Sequence, residues 1–303
     1  MADPLSEVVT LLQPGAAFSK VVNGAGRWRV RRTELGRPFY CVVLEGSCRL
    51  AVERREPLVL QAGDFVLIPA AHNFATSSID PPDDGPDAPP ILLAGGEFRL
   101  GTLEGAPQVR MMVGYCVFGS PDAAMLVSLL PQLVHVRGEQ QLTTLVQLVN
   151  EESRGQRPAR GLILTRLLEV LLIEALRSTA STAASPGLLR GLADARLAVA
   201  IRRMHEMPTR PWTVAHLAKE AALSRSAFFE RFNRAVGMTP MEYLLAWRMA
   251  LAKKLLRKQG IAIADVAERV GYSSASTFSV AFSRHVGMPP ARYAREQSPA
   301  PAT

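Results

Sequence analysis

The sequence predicts an α+β multidomain fold. An N-terminal β-barrel with accessory helices is followed by an all-α domain, in which two helix-turn-helix motifs are joined by a long helix. Three observations predict this. The hydrophobic period changes from strand-like to helical after Ser120. The segment VGMTPMEY, beginning at Val236, returns as VGMPPARY from Val286. Charge divides unevenly: residues 1–185 hold 17 Lys+Arg against 19 Asp+Glu, and residues 186–303 hold 18 against 8, a net of +10. At 303 residues the chain can bury a core in each of two domains.

The first ~130 residues read as strands. FYCVVLEGSCRLAV is β-branched and apolar around an expected turn at Glu45-Gly46. EPLVLQAGDFVLIPAAHNF follows, with turn chemistry at Ala62-Gly63-Asp64 and an expected stop at Pro69. PPDDGPDAPP (81–90) excludes helix or central strand and reads as a surface loop. PILLAGGEFRL and VRMMVGYCVFG supply further strands. Many short strands with Gly/Pro turns argue a small sandwich or barrel.

SPDAAMLVSLLPQLVHV opens with Ser120-Pro121-Asp122, an N-cap followed by proline at the first helical position. Residues 140–153 and 160–178 look helical. In the second, Leu164, Leu167, Leu168, Leu171, Leu172, Ala175 and Leu176 make a broad apolar stripe. RSTASTAASPG (177–187) is small and polar, a linker composition. From Leu188 to Arg295 the chain reads as helices broken by short turns.

The two repeats align over their upstream residues. Ser224, Phe228, Phe232, Arg234, Gly237, Pro240 and Tyr243 match Ser274, Phe278, Phe282, Arg284, Gly287, Pro290 and Tyr293, all at an offset of 50. Upstream of the serine the offset is 49, so the second copy carries one extra turn residue. Each copy has a short helix, a tight turn and a serine that caps the next helix. The first short helix starts after Thr213, the second near Ala262 or Ile263. Phe228/Phe232/Val236 and Phe278/Phe282/Val286 form the buried faces, and Gly237 and Gly287 stand where a left-handed C-cap is wanted. The opposite faces show Arg225, Ser226, Phe229, Glu230 and Asn233 in one copy. In the other they show Ala275, Ser276, Ser279, Val280 and Ser283. The intervening helix, expected over 240–260 and ended by Gly260, spans roughly 28 Å for about 19 helical residues at ~1.5 Å each. That approaches one DNA turn of ~34 Å, so two recognition helices could enter successive major grooves. The basic charge of this domain fits a polyanionic partner. A duplicated helical bundle with a solvated basic surface is the structural alternative.

Residues 188–296 resemble the DNA-binding domain of the AraC/XylS family of bacterial transcription regulators. The resemblance rests on LAKEAALSRSAFFERF, VGMTPMEYLLAWRMALAKKLL and IADVAERVGYSSASTFSVAFSRHVGMPPARYAR. Upstream, YCVVLEGSCRLAV and GDFVLIPAAHNF resemble the cupin-type sensory domain of one branch of that family. The resemblance implies a cupin-like sensing and dimerisation domain over 1–180 (barrel about 1–118, helices about 121–180), a linker at 181–188 and a double helix-turn-helix domain over 189–298. It implies a sequence-specific regulator, more often an activator, with double-stranded DNA, a second copy of the chain, RNA polymerase and a small-molecule effector as partners. Base contacts are implied for Ser226, Phe229, Glu230, Ala275, Ser276, Ser279 and Val280, and phosphate contacts for Ser224, Arg225, Ser274 and Arg284. This chain departs from the commoner pattern of a recognition-face arginine, having Glu230 and Val280 there. Glu230 can accept from cytosine N4, and Phe229 or Val280 can touch a thymine methyl. A second face of Ala, Ser and Val reads weakly, so specificity is expected to rest more on the first.

An enzymatic cupin holds a metal with several His and a Glu. The corresponding stretch here is Phe39, Tyr40 and Cys41, and only His72 stands where a ligand is wanted, too few for a site. With no Ser/His/Asp or Cys/His constellation and no phosphate loop, the expectation is no enzyme, no metal and no cofactor. A metal-dependent cupin enzyme with a helical appendage and a nonspecific DNA-binding protein are the competing readings. Tyr40, Glu45 and His72 are candidate polar groups of an effector pocket in the barrel mouth, and Arg29 or Arg31 could reach an anionic effector. Cys41 and Cys116 are either oxidant sensors or small buried hydrophobes. Three cysteines, Cys48 included, do not make a disulfide framework. With no apolar run of about 20 residues and no leader-like N-terminus, a cytoplasmic protein is expected.

Overall fold

The computed structural model describes residues 3–297 except 34–36, 54, 72, 83–86, 88, 95, 121–122, 156, 179–186 and 258–260. The expected linker and the expected helix stop at Gly260 therefore lie largely or wholly outside the described residues. The chain divides into two compact units: Leu12–Ser185, and Pro186–Thr303 together with Met1–Leu11.

The N-terminus departs from expectation. Pro4–Leu12 is a helix, α1, and it belongs with the C-terminal unit, not with the barrel. Leu5, Val8, Val9 and Leu12 are buried, an i, i+3/i+4 stripe that strand-like composition conceals.

The Leu12–Ser185 unit is a curled ten-stranded sheet: β1 (Pro14–Ala25), β2 (Arg29–Arg32), β3 (Arg37–Val52), β4 (Leu58–Gln61), β5 (Phe65–Ala71), β6 (Phe74–Ser77), β7 (Ile91–Leu92), β8 (Phe98–Gly101), β9 (Val109–Phe118) and β10 (Val134–Val136). The strand order is β10-β5-β3-β9-β1-β8-β7, and a flap of β2, β6 and β4 is joined through β3. Alternate residues, among them Val22, Val30, Phe39, Cys41, Leu50, Ile68, Phe74, Met111 and Val113, point inward and form the core. Among the described residues three helices complete the unit: α2 (Ala123–Ser128), α3 (Gln140–Arg154) and α4 (Arg160–Ser178).

Three expectations are corrected. Glu45-Gly46 is not a hairpin turn but a bend inside one 16-residue strand, β3. Its first half pairs with β5 and β9, its second half with β4 and β6, and the register slips between Val43 and Glu45. Gly46 has φ 73°, and a Cβ there would run into the Gln108 carbonyl, so only glycine lets the strand turn the corner. Pro69 does not stop β5. Two residues, Pro69 and Ala70, oppose Pro38 alone in the slip between Phe39↔Ile68 and Arg37↔Ala71, a bulge where no ladder N–H is required. The helix expected from Ser120 is short, and Val134–Val136 instead forms β10 on the edge of β5.

The two long helices fall as expected. The apolar stripe of α4 is covered within the chain: Leu164, Leu168, Leu171, Leu172, Ala175 and Leu176 are buried, with α4 packed on α3 and β1.

The other unit adds α5 (Leu188–Ala193), α6 (Ala195–Glu206), α7 (Val214–Glu220), α8 (Arg225–Val236), α9 (Pro240–Leu256), α10 (Ile263–Arg269), α11 (Ala275–Val286) and α12 (Pro290–Gln297). Helix α9 is buried nearly all round. Tyr243, Leu244 and Trp247 serve its N-terminal half, and Met249, Ala252 and Leu256 join Val266, Val270, Phe278, Phe282 and Tyr293 at the other. Its 17 residues span roughly 25 Å.

Candidate nucleic-acid interface

Both repeats fold into the same local device. Thr213 caps α7 by accepting from the His216 N–H, and Ser224 caps α8 by accepting from Ala227. In the second copy Ala262 precedes α10 with no side-chain cap, and Ser274 caps α11 by accepting from Thr277. The turns between paired helices need a left-handed residue. Gly271 supplies one at φ 83°, and Ala222, its counterpart at the 49-residue offset, adopts φ 51° despite its Cβ. Gly237 and Gly287 end α8 and α11 in the left-handed region at φ 85° and 83°.

With Phe228, Phe232 and Phe278, Phe282 fully buried, the opposite faces of α8 and α11 are presented outward. Arg225, Ser226, Glu230 and Asn233 are exposed, and Phe229 is 39 % exposed, high for a large aromatic side chain. On α11, Ser276 and Arg284 are exposed, Ala275 and Ser279 are half-buried, and Val280 is 70 % exposed. The two serine caps differ. Ser224 lies 3.4 Å from the Ser226 hydroxyl, whereas Ser274 lies 3.0 Å from Ser276 and 2.8 Å from Thr277, a closed hydroxyl cluster. Ser279 donates its hydroxyl to the Ala275 carbonyl at 2.7 Å, so only its lone pairs face outward.

Behind these faces lie positioning contacts that local sequence reading does not reach. Arg231 on α8 is paired with Asp194, the N-cap of α6. Burial pushes the Asp194 carboxyl up, but the Arg231 guanidinium and the Leu197 and Arg196 N–H groups together hold it below its ordinary value. Arg248 on α9 donates to the carbonyls of Pro208 (2.7 Å) and Arg210 (2.8 Å), tying down the loop before α7. His205 is buried and stacked on Trp247 at 3.8 Å. Its Nδ1–H donates to the Glu7 carboxylate of α1 at 2.6 Å, and the Tyr243 hydroxyl donates to its Nε2 at 2.7 Å. Burial lowers the His205 pKa, with Glu7 opposing.

In the barrel unit Tyr40 and Glu45, two of the predicted pocket groups, do not converge. Tyr40 is buried on the face of β3 opposite Phe39 and Cys41, its ring lying over Gly114, where a Cβ would collide with it. Burial raises its pKa. Glu45 is exposed and faces Arg110 at 3.7 Å. His72 lies outside the described residues. The side chains that do enter the barrel mouth are Lys20, Arg32 and Tyr115, beside Phe39 and Phe74. Lys20 is 9 % exposed, with its ammonium 4.2 Å from the Phe98 ring centre, and its pKa is lowered by burial and by Arg32. The lysine within the alternation of β1 is the sequence signal for this position. Inward positions such as Phe39, Cys41, Met111 and Val113 do not suit a metal, and among the described residues no group of three His, Cys, Asp or Glu could hold one.

Cys41, Cys48 and Cys116 are free and buried. Burial raises all three thiols, Cys48 and Cys116 to about 12, the reverse of a reactive thiolate. Among the described residues no helix is long and apolar enough to cross a membrane.

A cupin family model matches residues 3–181, and a helix-turn-helix domain model matches residues 217–296. An AraC-like transcription regulator of Streptomyces lividans is 35 % identical, covering 96 % of this chain and 97 % of that protein. The HTH-type transcriptional regulator AlkR of Acinetobacter baylyi is 28 % identical over 98 % of this chain and 100 % of its own. Among solved structures, fatty-acid-bound ToxT of Vibrio cholerae is 12 % identical over 93 % of this chain and 95 % of that one, with a TM-score of 0.36, too low to carry weight.

Proposed function

The chain belongs to the AraC-like transcription regulators, and on that premise we propose that its two helix-turn-helix copies read two successive major-groove segments of one operator. It is a DNA-binding transcription regulator with a cupin-like domain. The observation that supports the two-headed reading is the duplication itself: two serine-capped helices, each closed by a left-handed glycine, each exposing its second face, in a region of net charge +10. In this reading Ser224, Arg225, Ser274 and Arg284 hold phosphates. Ser226, Phe229, Glu230 and Asn233 read bases from α8, and Ala275, Ser276, Ser279 and Val280 from α11. Sequence choice rests mainly on α8, whose face carries a carboxylate and an amide. The cupin unit takes a small-molecule effector and mediates a homodimer, and the protein acts in the cytoplasm, without catalysis, as an activator that engages RNA polymerase.

A footprint of the full-length chain on the DNA upstream of its own and neighbouring genes tests this. The expected result is two protected segments about one helical turn apart, repeated once per subunit. Uniform protection would instead mean a nonspecific binder. Glu230→Ala is expected to change the preferred sequence more than Val280→Ala, and the reverse order would refute the assignment to α8. Sedimentation as a monomer at micromolar concentration would refute the dimer.

A further inference from the structure

The outer face of the β2–β6–β3 flap carries an arginine trough. Period-two alternation sends Val30, Leu50 and Phe74 inward, and so sends Arg29, Arg49, Ala51, Ala75 and Ser77 outward. Register aligns them in rows. Arg29 and Arg49 both pair with Ser77, and Arg31 and Ala51 both pair with Ala75. The middle strand therefore offers only small side chains, and the arginines rise on either side of it. Strands lie ~4.8 Å apart, so the Arg29 and Arg49 backbones stand roughly 10 Å apart across the Ser77 hydroxyl. The resulting cavity measures about 530 Å³, within the usual size of a small-molecule site.

Its charge is unbalanced in a specific way. Among the described residues that line the cavity Glu53 is the acidic one, and it accepts from the Asn73 amide at 3.0 Å. Arg31 faces Asp87 at 3.9 Å. Arg29 gives one N–H to the Pro82 carbonyl at 2.7 Å, and a guanidinium has five donors. The Nε of Arg49 is buried and has no hydrogen-bond partner among the described residues. A buried charged donor without an acceptor is costly, and an anion seated between Arg49 and Arg29 removes that cost with charge-assisted bonds.

We propose that this trough binds a small organic anion, with its carboxylate or phosphate held between Arg29 and Arg49 above Ser77 and its apolar body over Ala51 and Ala75. The site is distinct from the barrel mouth. As the effector site it rests on the reading of the cupin unit as a sensor, but binding as such does not.

The test is calorimetric titration of the full-length chain with phenyl phosphate, benzoate and, as the uncharged counterpart, benzyl alcohol. Saturable binding of one or both acids and none of the alcohol is expected, and the acid that binds more tightly identifies the head group. Arg49→Gln and Arg29→Gln should each weaken binding about tenfold, the loss typical of one charge-assisted bond, and Arg49→Lys should restore part of it. Arg166→Gln, on α4, should have no effect. Thermal melts of each variant report folding, and the Arg29 variant serves if Arg49→Gln does not fold. Failure of both acids to bind, or binding untouched by either arginine change, overturns the proposal. Loss of DNA affinity in Arg49→Gln without acid binding also overturns it, and makes the trough a phosphate-backbone contact. Arginine-dependent binding that leaves DNA affinity unchanged upholds the trough and refutes only the sensor reading.

Discussion

Ala222 and Gly271 occupy equivalent turn positions, and both have positive φ, 51° and 83°. An alanine in this region costs roughly 1 kcal/mol relative to glycine. Ala222 is exposed, so Ala222→Gly is expected to stabilise the C-terminal unit by about 0.5–1 kcal/mol, read from the denaturant midpoint. The reciprocal change, Gly271→Ala, should destabilise by more, because its Cβ would come within 2.8 Å of the Pro208 oxygen and Thr209 Cα. His205 makes a different demand. Its nitrogens are committed to Glu7 and Tyr243, and burial holds its pKa below the ordinary value, so the folded state keeps it neutral. As pH falls below about 6.5 the unfolded chain takes up a proton that the folded chain refuses, and stability falls. The melting temperature of wild type should drop on acidification through that window. His205→Gln should flatten that part of the profile. An unchanged slope would mean that His205 takes up its proton equally in the folded and unfolded chain.

At the scale of elements, α8 depends on a neighbouring helix, α6. Asp194 caps α6 and pairs with Arg231 on α8, so one carboxylate fixes the start of one helix and the flank of another. Asp194→Ala is expected to cost about 1–2 kcal/mol, more than a surface ion pair, because the cap and the pair are lost together. A double-mutant cycle with Arg231→Ala separates the two contributions. In the barrel, Gly46 and the Pro69 bulge do the comparable work of steering strands. These devices were partly legible in sequence. The serine caps, the left-handed glycines and the phenylalanine spacing are local, and helix geometry makes local signals sufficient. The bend at Gly46 reads in sequence as a turn, because a glycine after a polar residue is the same local signal in both.

For the whole molecule, the charge asymmetry predicts a DNA affinity that falls steeply with salt. A contact neutralising about six to eight phosphates gives a log–log slope of about −5 to −7, and Arg225→Ala or Arg284→Ala should each reduce it by about 1. A slope near zero in a salt titration would exclude DNA as the partner of the basic unit. The sequence by itself determined the two-part organisation, the duplication, the helix caps and the outward residues of α8 and α11. The caps and outward faces follow from spacings within a dozen residues, the duplication from a repeat at an offset of 50, and the two-part organisation from the change of period and charge along the chain. Tertiary structure alone decided that α1 joins the C-terminal unit, that the α4 stripe is spent on its own barrel, that Tyr40 and Glu45 part company and that Arg29 and Arg49 share a trough. Those outcomes depend on pairing between strands and helices distant in the chain, and in the strands a one-residue change of register would send Tyr40, Arg29 and Arg49 to the other face.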